Sequence, residues 1–441
     1  MPSNTEPTSD DPLRITIVGG GIAGLAAATA LRSPSHLITV HERNGPDVLE
    51  FGAAVALGPN GIKMVRSMGL TRDDVNGVLC GGYKAFSHQG KPLHGRPWVS
   101  ESGSPVDWWL VHRQDLKDAL LRSATSPSGS GSPATIVYGA RVIDVDAHSG
   151  KVMFADGAVV EADLVIGADG IHSEARAAVV QDPHPAPLPS GHSMYRFVLP
   201  FKLFQDDAGG LPEQLDYSNG VHLTLLVAQD GTDRNVVIYP CRSMKLLNIA
   251  CAVPDKKLKH ETTYSWTAAG IVDDMVDLFQ GFPEWLLNAF QKTNEVKLFQ
   301  LRDQEPLPRY ARGRTCLIGD AAHAMVPYQG QGVNQALEDA EGLGVLLKNV
   351  KDKDEIPGVL ELWERARKPR ASEIQLGSRL AQQRLAPETF ARMMRIHWRY
   401  EGIRSALPDN WERHVGRDEK EMEGDVEKAA LGFERNGCVE A

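Results

Sequence analysis

The N-terminal part of the chain alternates between short apolar runs and stretches of small residues. A β-branched run at residues 15–18 predicts a buried parallel strand. A glycine-rich turn and an alanine-rich helix to Leu31 follow, and a second apolar run at residues 37–40 predicts the next strand. Strand, helix and strand in this order are the elements of a dinucleotide-binding fold.

The turn after the first strand has the spacing G-x-G-x-x-G, with glycines at Gly19, Gly21 and Gly24. The first makes the tight turn, the second lets the backbone approach a pyrophosphate, and the third lets helix and strand pack closely. The free N–H groups of the helix N-terminus face the phosphates. Glu42 ends the second strand and can bind both hydroxyls of a ribose, which favours FAD or NAD over NADP. The motif does not separate FAD from NAD, and a glycine turn made for packing alone is the alternative.

Two later stretches repeat the change from buried strand to turn to helix. The run at residues 164–166 leads into Asp169 and Gly170, and the run at 315–319 leads into Asp320 and a glycine-rich loop. Turns at the carboxyl ends of parallel strands lie on the nucleotide side of a sheet. An ordinary Asp-Gly turn and a helix-capping role for Asp320 are the alternatives.

The middle of the chain changes to short strand-like runs. Residues 83–97 predict a hairpin, and four runs between 135 and 161 predict a β-meander. A proline-rich connector begins near Gln181, and a second, mainly β domain is expected after it. Its predicted elements are strands at 221–228, 236–239 and 245–253 and helices at 272–279 and 285–290.

These patterns predict an α/β protein with a Rossmann-like domain, an inserted mixed β-sheet domain and C-terminal helices. The Rossmann-like domain takes residues 14–75, 106–180 and 300–350, and the inserted domain takes 76–105 and 181–299. Residues 1–13 are expected to be a disordered lead-in, and residues 351–441 the C-terminal helices. The basic stretch 363–380, interrupted by Pro369, is expected to be a solvated packing helix.

Composition argues against several classes of protein. A net charge of −10 argues against a nucleic-acid partner, because no excess of Lys and Arg is present to displace counterions. The five cysteines are scattered without C-x-x-C spacing, which indicates reduced thiols in a cytoplasmic protein and no metal site. We expect no signal peptide, because the N-terminus lacks an apolar core, and no membrane span, because no apolar run reaches about 18 residues.

Three stretches together carry a resemblance to a known family: GGGIAGL at 19–25, GADGIHSEAR at 167–176 and RTCLIGDAAHAMVPYQGQGVNQALEDA at 314–340. Their combination and order resemble the single-component FAD-dependent aromatic hydroxylases (group A flavoprotein monooxygenases). The salicylate hydroxylase type and its fungal secondary-metabolite relatives are the most similar members. The resemblance covers residues 14–380, is weak over 181–300, and implies a p-hydroxybenzoate hydroxylase-like fold.

The resemblance implies an FAD site assembled from all three motifs. The glycines, Glu42 and Arg43 would hold the ADP half of FAD, and Arg113, which starts a helix, would neutralise the pyrophosphate. A solvated helix end is the alternative for Arg113. Asp320 would hold the ribityl chain, and the Asp169–Gly170 pair would serve both FAD and a transient NAD(P)H. The residues that would line the isoalloxazine are Ala53, Ala54, Pro327, Gly330, Gly332 and Val333. Close packing is the alternative for the small residues at 52–55.

Two side chains match the residues that face the substrate in the fungal relatives. Arg196 in SMYRFVLP would pair a phenolate or donate a proton to the peroxide, and Tyr239 in VIYPCR would hold a substrate oxygen. The alternatives are a structural ion-pair partner for Arg196 and a strand residue for Tyr239. His323, in GDAAHA, is expected to be a packed histidine more than a general base.

The implied activity is hydroxylation of an electron-rich aromatic or polycyclic substrate with NAD(P)H and O2, through a flavin C4a-hydroperoxide. Epoxidation of an indole or alkene by the same intermediate remains an alternative. A reductase without oxygen transfer and a flavin-carrying binding protein are further alternatives. A flavin halogenase is disfavoured, because the sequence has no W-x-W-x-I-P signature. The expected partners are O2 and a small aromatic or indole-type substrate, and the expected assembly is a monomer or homodimer.

Overall fold

A computed structural model describes residues 11–48, 54–100, 102–181, 186–206, 210–260, 269–383 and 387–407. The predicted lead-in before residue 11, the predicted flavin-lining Ala53 and the end of the chain after residue 407 lie outside these ranges. The described strands, in chain order, are β1 Leu13–Val18, β2 His36–Glu42, β3 Ala54–Leu57, β4 Val78–Leu79, β5 Gly82–Ser87, β6 Pro92–Pro97, β7 Trp109–His112, β8 Thr135–Tyr138, β9 Val142–Asp146, β10 Lys151–Phe154, β11 Val159–Glu161, β12 Leu164–Gly167, β13 Leu188–Pro200, β14 His222–Val227, β15 Asn235–Cys241, β16 Leu246–Pro254, β17 Lys297–Asp303, β18 Ala311–Arg312 and β19 Thr315–Leu317.

The described helices lie mainly between the strands of the first sheet and at the C-terminal end. They are α1 Ile22–Ala30, α2 Pro59–Ser67, α3 Arg113–Thr125, α4 Ala175–Val180, α5 Lys202–Gln205, α6 Val272–Leu278, α7 Glu284–Gln291, α8 Asp320–His323, α9 Gly332–Leu347, α10 Ile356–Ala381 and α11 Pro387–Trp398. In the described ranges, no helix combines the length and the apolar composition that a membrane crossing requires.

A six-stranded sheet forms the nucleotide-binding half, in the order β18-β19-β12-β1-β2-β8. All neighbours are parallel except β18 and β19, and β1 pairs with both β2 and β12. The three predicted strand-to-turn transitions follow β1, β12 and β19, which are adjacent. Their carboxyl ends therefore meet at one edge of the sheet, where ligands bind in open α/β sheets.

The β-meander predicted over residues 135–161 is only partly correct. β9, β10 and β11 form a three-stranded antiparallel sheet, as expected. β8, however, pairs in parallel with β2 and extends the six-stranded sheet. The sequence of β8 is short and half-exposed, and its pairing partner is distant along the chain, so local alternation does not reveal its sheet.

The inserted half is a seven-stranded sheet in the order β17-β13-β16-β15-β14-β5-β6. It contains the predicted hairpin, with β5 antiparallel to β6, and the predicted strands at β14, β15 and β16. β17 pairs with β13, so the boundary expected between residues 299 and 300 falls inside a strand of this sheet.

The two faces of the seven-stranded sheet have different neighbours. One face carries Phe197, Ile238 and Ile249, which pack with α6 and α7 in an apolar cluster. The opposite face carries Arg196 and Tyr239, because strand residues two apart share a face and paired residues lie side by side. We call this second side the cleft face.

A small sheet of β3, β7 and β4 joins the two halves. β7 leads directly into α3, and its residue His112 pairs with Ala54 of β3. Ala54 packs in the same apolar cluster as Tyr239, so the small sheet lies against the cleft face.

Helix α10 runs through Pro369 without interruption, and its basic face is not solvated as expected. Arg367 has no exposed surface and forms ion pairs with Glu338 (2.6 Å) and Asp339 (3.0 Å) of α9. A buried cation is tolerated only when partners of this kind satisfy it. α10 is therefore joined to α9 through charges inside the protein.

Candidate active site

The glycine-rich turn after β1 is shaped by close backbone contacts. Gly19 has φ of +107°, and a Cβ there would collide with the Ala168 carbonyl. A Cβ on Gly24 would collide with the Gly19 carbonyl oxygen. No atom lies within 4 Å of the Cβ position of Gly21. Two of the glycines are thus required by the protein itself, whereas Gly21 faces open space where a ligand can approach.

Glu42 closes the other side of this turn. Its carboxylate accepts hydrogen bonds from the Gly20 N–H (2.7 Å) and from the Asn44 N–H (2.9 Å) and side-chain amide (2.8 Å). Glu42, which is predicted to bind a ribose, therefore also stabilises the glycine turn. Arg43, which follows it, is exposed. A hollow next to Glu42 is lined by Gly20, Leu25, Asn44, Gln114, Lys117 and Tyr138.

The Asp-Gly turn after β12 carries an unsatisfied carboxylate oxygen. Asp169 accepts hydrogen bonds at Oδ2 from the N–H groups of Glu174 (2.8 Å) and Ala175 (3.2 Å), which caps α4. Its Oδ1 is buried and has no hydrogen-bond partner among the described residues. A buried acceptor without a partner is costly unless a ligand supplies a donor. Gly170, with φ of +80°, follows it.

Arg176 ties the second motif to the third. Its guanidinium donates to the carbonyls of Ile171 (2.9 Å), Asp320 (2.9 Å) and Ala321 (2.8 Å). The side chain is almost fully buried, and burial lowers the pKa of Arg176 while Asp169 and Asp320 oppose that shift. The Asp-Gly turn and the Asp320 turn are thereby held as one unit.

The third motif places Asp320 at the start of α8, exposed and beside the α9 N-terminus. The Cβ position of Gly332 lies 3.9 Å from Asp320 Oδ1, so the carboxylate reaches the loop before α9. His323 is fully buried, with Nε2 2.7 Å from Asp339 Oδ2. This position matches the expected packed histidine, because Asp339 also accepts the Gly319 N–H (3.0 Å) and so holds the turn.

The loop before α9 is fixed to the small sheet. Pro327–Gln329 form a short 3-10 helix, and Gly330 follows with φ of +64°. Asn334 donates from Nδ2 to the carbonyls of Gly330 (2.7 Å) and Ala56 (3.0 Å), and its Oδ1 accepts the Gly58 N–H (3.0 Å). Of the predicted isoalloxazine-lining positions, Pro327 and Gly330 lie on the loop that Asn334 joins to the strand of Ala54, and Gly332 and Val333 are the first two residues of α9.

Ala54 is held from the cleft face through both of its backbone polar groups. Its carbonyl accepts the Tyr239 hydroxyl at 2.9 Å, and its N–H donates to Asn248 Oδ1 at 3.0 Å. Tyr239 and Asn248 are register partners on β15 and β16. The small sheet and the seven-stranded sheet are therefore joined at the predicted flavin-edge residue.

Arg196 and Tyr239 are brought together on the cleft face with Arg113 nearby. Burial lowers the pKa of Arg196, the Arg113 charge lowers it further, and Tyr239 opposes both. Burial raises the pKa of Tyr239, while the two guanidinium groups act to lower it. The Arg196 guanidinium also lies 6.0 Å from the centre of the Phe299 ring, and its Nε is 3.1 Å from Met194 Sδ. Arg196 and Tyr239 thus share one face of the sheet, and the Arg113 charge acts on both.

The described residues fit FAD. The open side of Gly21, the unsatisfied Oδ1 of Asp169 and the exposed carboxylate of Asp320 lie along the same edge of the six-stranded sheet. They offer a backbone approach for a pyrophosphate and acceptors for hydroxyl groups. An extended dinucleotide can therefore be bound by the backbone at its pyrophosphate and by carboxylates at its hydroxyl groups.

Three positions that complete the site were not identified from the sequence. Arg176 is the last residue of the second motif and Asn334 lies inside the third, and neither position carries a local signal of its role. Asn248 was not singled out, although an Asn in an otherwise apolar strand, LLNIACAVP, signals a buried polar contact.

Comparison with known proteins agrees with this geometry. The sequence model of a family described as an FAD-binding domain matches residues 288–376. The FAD-dependent monooxygenase atnJ of Arthrinium sp is 34% identical over 385 residues, covering 87% of each chain. Hispidin-3-hydroxylase of Neonothopanus nambi is 32% identical, covering 82% of this chain and 86% of the relative.

Salicylate hydroxylase is similar both in sequence and in structure. The Pseudomonas putida protein is 32% identical over 387 residues, covering 82% of this chain and 84% of the relative. A solved salicylate hydroxylase substrate complex superposes with a TM-score of 0.71 at 28% identity, covering 90% of this chain and 98% of that one. The glycine turn, the Asp-Gly turn, the Asp320 loop and these likenesses agree, and the chain belongs to the FAD-dependent monooxygenase family that includes salicylate hydroxylase.

Proposed function

We propose that this FAD-dependent monooxygenase uses NAD(P)H and O2 to hydroxylate an electron-rich aromatic or polycyclic substrate in the cleft between the seven-stranded sheet and the loop before α9. Bound FAD supplies the redox and oxygen chemistry. The observation that carries the proposal is that Arg196 and Tyr239 share the cleft face and that the Tyr239 hydroxyl contacts Ala54.

The cleft face provides both apolar contact and charge for such a substrate. Leu223, Leu225 and Val237 are half-buried on this face and offer an apolar wall for a flat ring. Arg196 remains a cation, since a guanidinium stays protonated at neutral pH even when burial lowers its pKa. It would hold a phenolate or carboxylate oxygen and orient the ring.

Tyr239 has a more restricted role than a free hydroxyl would have. Because its proton is donated to the Ala54 carbonyl, its oxygen is left with acceptor lone pairs. It would therefore accept a hydrogen bond from a substrate hydroxyl, and its contact with Ala54 would align that substrate with the flavin edge.

The name of one relative supports an aromatic substrate. It is a salicylate hydroxylase, and salicylate is an aromatic acid with the anionic group that Arg196 would bind. We also propose a cytoplasmic location, because the described cysteines are free and buried, as expected in a reducing compartment.

The proposal is tested with purified protein, aromatic acids, phenols and indoles. We expect a yellow protein whose NAD(P)H oxidation is stimulated by one of these classes. With oxygen-18 gas, the product should carry one labelled oxygen on the ring. A protein that stays colourless in FAD, or an unlabelled product, would contradict the proposal, and a labelled epoxide would replace hydroxylation with the alternative reaction.

Arg196 is tested by charge removal. Arg196→Gln should retain FAD and lose product formation by about a hundredfold, because an oriented ionic contact to the substrate is lost. Arg196→Lys should recover part of the product formation, because it keeps the positive charge. Arg96→Gln removes an exposed arginine from β6 of the same sheet and is the matched control. Full activity of Arg196→Gln would remove Arg196 from the mechanism.

A further inference from the structure

The turn between β15 and β16 holds three consecutive residues in the left-handed region. Arg242, Ser243 and Met244 have φ values of +49°, +50° and +66°. Each such residue costs about 1–2 kcal/mol relative to the ordinary helical conformation. None of the three is Gly, Asn or Asp, the residues that tolerate this region. A conformation of this cost persists only when surrounding contacts fix it, and such strain clusters at functional positions.

The contacts that fix this turn come from α3, from β7 of the small sheet and from the segment before β4. Arg242 donates from Nε to both oxygens of Asp115 (3.0 and 3.1 Å), and its Nη2 donates to the same carboxylate. Nη2 also lies 3.3 Å from His112 Nδ1. The Ser243 N–H donates to the Asn76 carbonyl at 2.9 Å. The Asp115 side chain is 8% exposed and the Arg242 side chain 36%, so the carboxylate is buried while the guanidinium keeps partial contact with water.

The two ends of this ion pair lie two and three residues from proposed site residues. Asp115 is in the first turn of α3, which begins at Arg113. Arg242 follows Tyr239 by three residues, immediately beyond β15. His112 pairs with Ala54, whose carbonyl accepts the Tyr239 hydroxyl. The contacts therefore close a ring from Tyr239 through Ala54, His112 and Arg242 back to Tyr239.

We propose that Arg242 is a positioning residue, which holds Tyr239 and Arg113 at a fixed separation by clamping the β15–β16 turn to α3. This ion pair would thereby fix the position of the substrate-binding Tyr239 relative to the cofactor-binding Arg113. The left-handed turn is the conformation that brings the Arg242 side chain onto Asp115. This inference rests on the proposed function, because Tyr239 and Arg113 have their roles only there.

The first experiment compares Arg242→Gln with Arg242→Lys in the FAD-loaded enzyme. The measured quantity is the share of oxidised NAD(P)H that yields hydrogen peroxide in place of product. We expect this share to rise about tenfold in Arg242→Gln while FAD stays bound, because a small misplacement of reacting groups is costly. Arg242→Lys should be intermediate, since it keeps the charge and loses the two-pronged contact.

Arg14→Gln is the matched control. Arg14 forms a similar contact with Asp163 (3.0 and 3.2 Å) at the amino end of the six-stranded sheet, away from the cleft. It should lower thermal stability without changing the peroxide share. If Arg242→Gln lowers the melting temperature but leaves the peroxide share unchanged, the role of Arg242 is merely structural and the proposal is overturned.

A second measurement separates this proposal from failure of the proposed function. In the FAD-loaded protein, Arg242→Gln, Tyr239→Phe and the double variant are unfolded in urea. If Arg242 holds Tyr239 on Ala54, the double effect on the unfolding equilibrium constant should depart from the product of the single effects by at least about threefold. Simple multiplication of the two effects would overturn the clamp, whether or not any aromatic substrate is turned over.

Discussion

The hydroxyl of Tyr239 donates a 2.9 Å hydrogen bond to the carbonyl of Ala54 and thereby joins the seven-stranded sheet to the small sheet. Tyr239→Phe would remove the hydroxyl donor from that buried carbonyl, which costs about 1–3 kcal/mol of unfolding free energy. We expect the variant to bind FAD and to lose at least about tenfold in kcat, since the flavin-edge strand loses its anchor. Steady-state kinetics and urea unfolding measure the two effects.

Tyr217→Phe is the control for this substitution, because Tyr217 packs in the apolar cluster on the other face of the sheet and its hydroxyl lacks a hydrogen-bond partner among the described residues. Its kcat should equal that of the wild type. Equal kcat in Tyr239→Phe as well would make the Ala54 contact irrelevant to turnover.

The glycines of the first turn should separate folding from cofactor binding. Gly24→Ala would force a Cβ against the Gly19 carbonyl and should prevent stable folding or lower the melting temperature strongly. Gly21→Ala meets no protein atom within 4 Å, so the FAD-free protein should melt as the wild type does. Its FAD dissociation constant should rise at least about tenfold, because the added methyl occupies the path of the pyrophosphate. Unchanged FAD affinity would mean that the cofactor does not approach Gly21.

Arg367 should be the most destabilising arginine to remove from α10. Arg367→Met leaves Glu338 and Asp339 buried with one partner fewer, and the expected loss is about 3–5 kcal/mol of unfolding free energy. Arg392→Met on the exposed side of α11 is the comparison and should change stability by less than about 0.5 kcal/mol. A loss below about 1 kcal/mol in Arg367→Met would indicate that Arg370 and His323 satisfy the two carboxylates unaided.

His397 should make stability depend on pH below neutrality. Burial lowers the pKa of His397 to about 3, and the Arg370 charge acts in the same direction while Glu338 opposes it. The unfolded chain takes up this proton near pH 6.5, so the stabilisation is complete above that pH and is lost as the pH falls towards 3. Between pH 7 and 5 the wild type should lose about 2 kcal/mol more than His397→Asn.

Urea unfolding at several pH values measures this difference. His94→Asn, at an exposed position, is the control and should follow the wild type. Parallel curves for the wild type and His397→Asn would show that the buried imidazole takes up its proton without unfolding.

The strained turn predicts opposite effects of two substitutions at one exposed residue. Ser243→Gly removes the steric cost of a left-handed φ and should raise the unfolding free energy by about 1 kcal/mol. Ser243→Val adds a β-branched side chain there and should lower it by about 1–2 kcal/mol. Thermal melts of the two variants give the comparison. Equal melting temperatures would mean that the turn relaxes to an ordinary conformation in solution.

The sequence allowed the cofactor side of the site to be predicted, because its signals are local. Each of the three motifs places a buried strand, a glycine or aspartate turn and a helix within a short stretch, and the structure has β1, β12 and β19 in those places. A turn that requires a positive φ, as at Gly19, selects glycine, so the position can be recognised from the sequence alone. The match of residues 288–376 to an FAD-binding family and the similarity to salicylate hydroxylase agree with that prediction.

The substrate side was less accessible, because its contacts are distant along the chain. β13 begins in a proline-rich segment that indicates a connector, yet it is a central strand over 13 residues. Arg367 was expected to be solvated, since its partners lie on another helix. The left-handed turn at Arg242 carries none of the glycine or asparagine residues that mark such turns.

The Arg176 side chain donates its hydrogen bonds to main-chain carbonyls, and two of these belong to the start of α8, 144 and 145 residues further along the chain. Every amino acid has a main-chain carbonyl, so a substitution at one of these acceptor positions does not by itself remove the hydrogen bond to Arg176. The seven-stranded sheet, whose strands β13 to β17 lie between these two motifs in the chain, contributes no acceptor to these hydrogen bonds. Changes on the substrate-facing strands can therefore arise in evolution while the contact between the second and third motifs is kept.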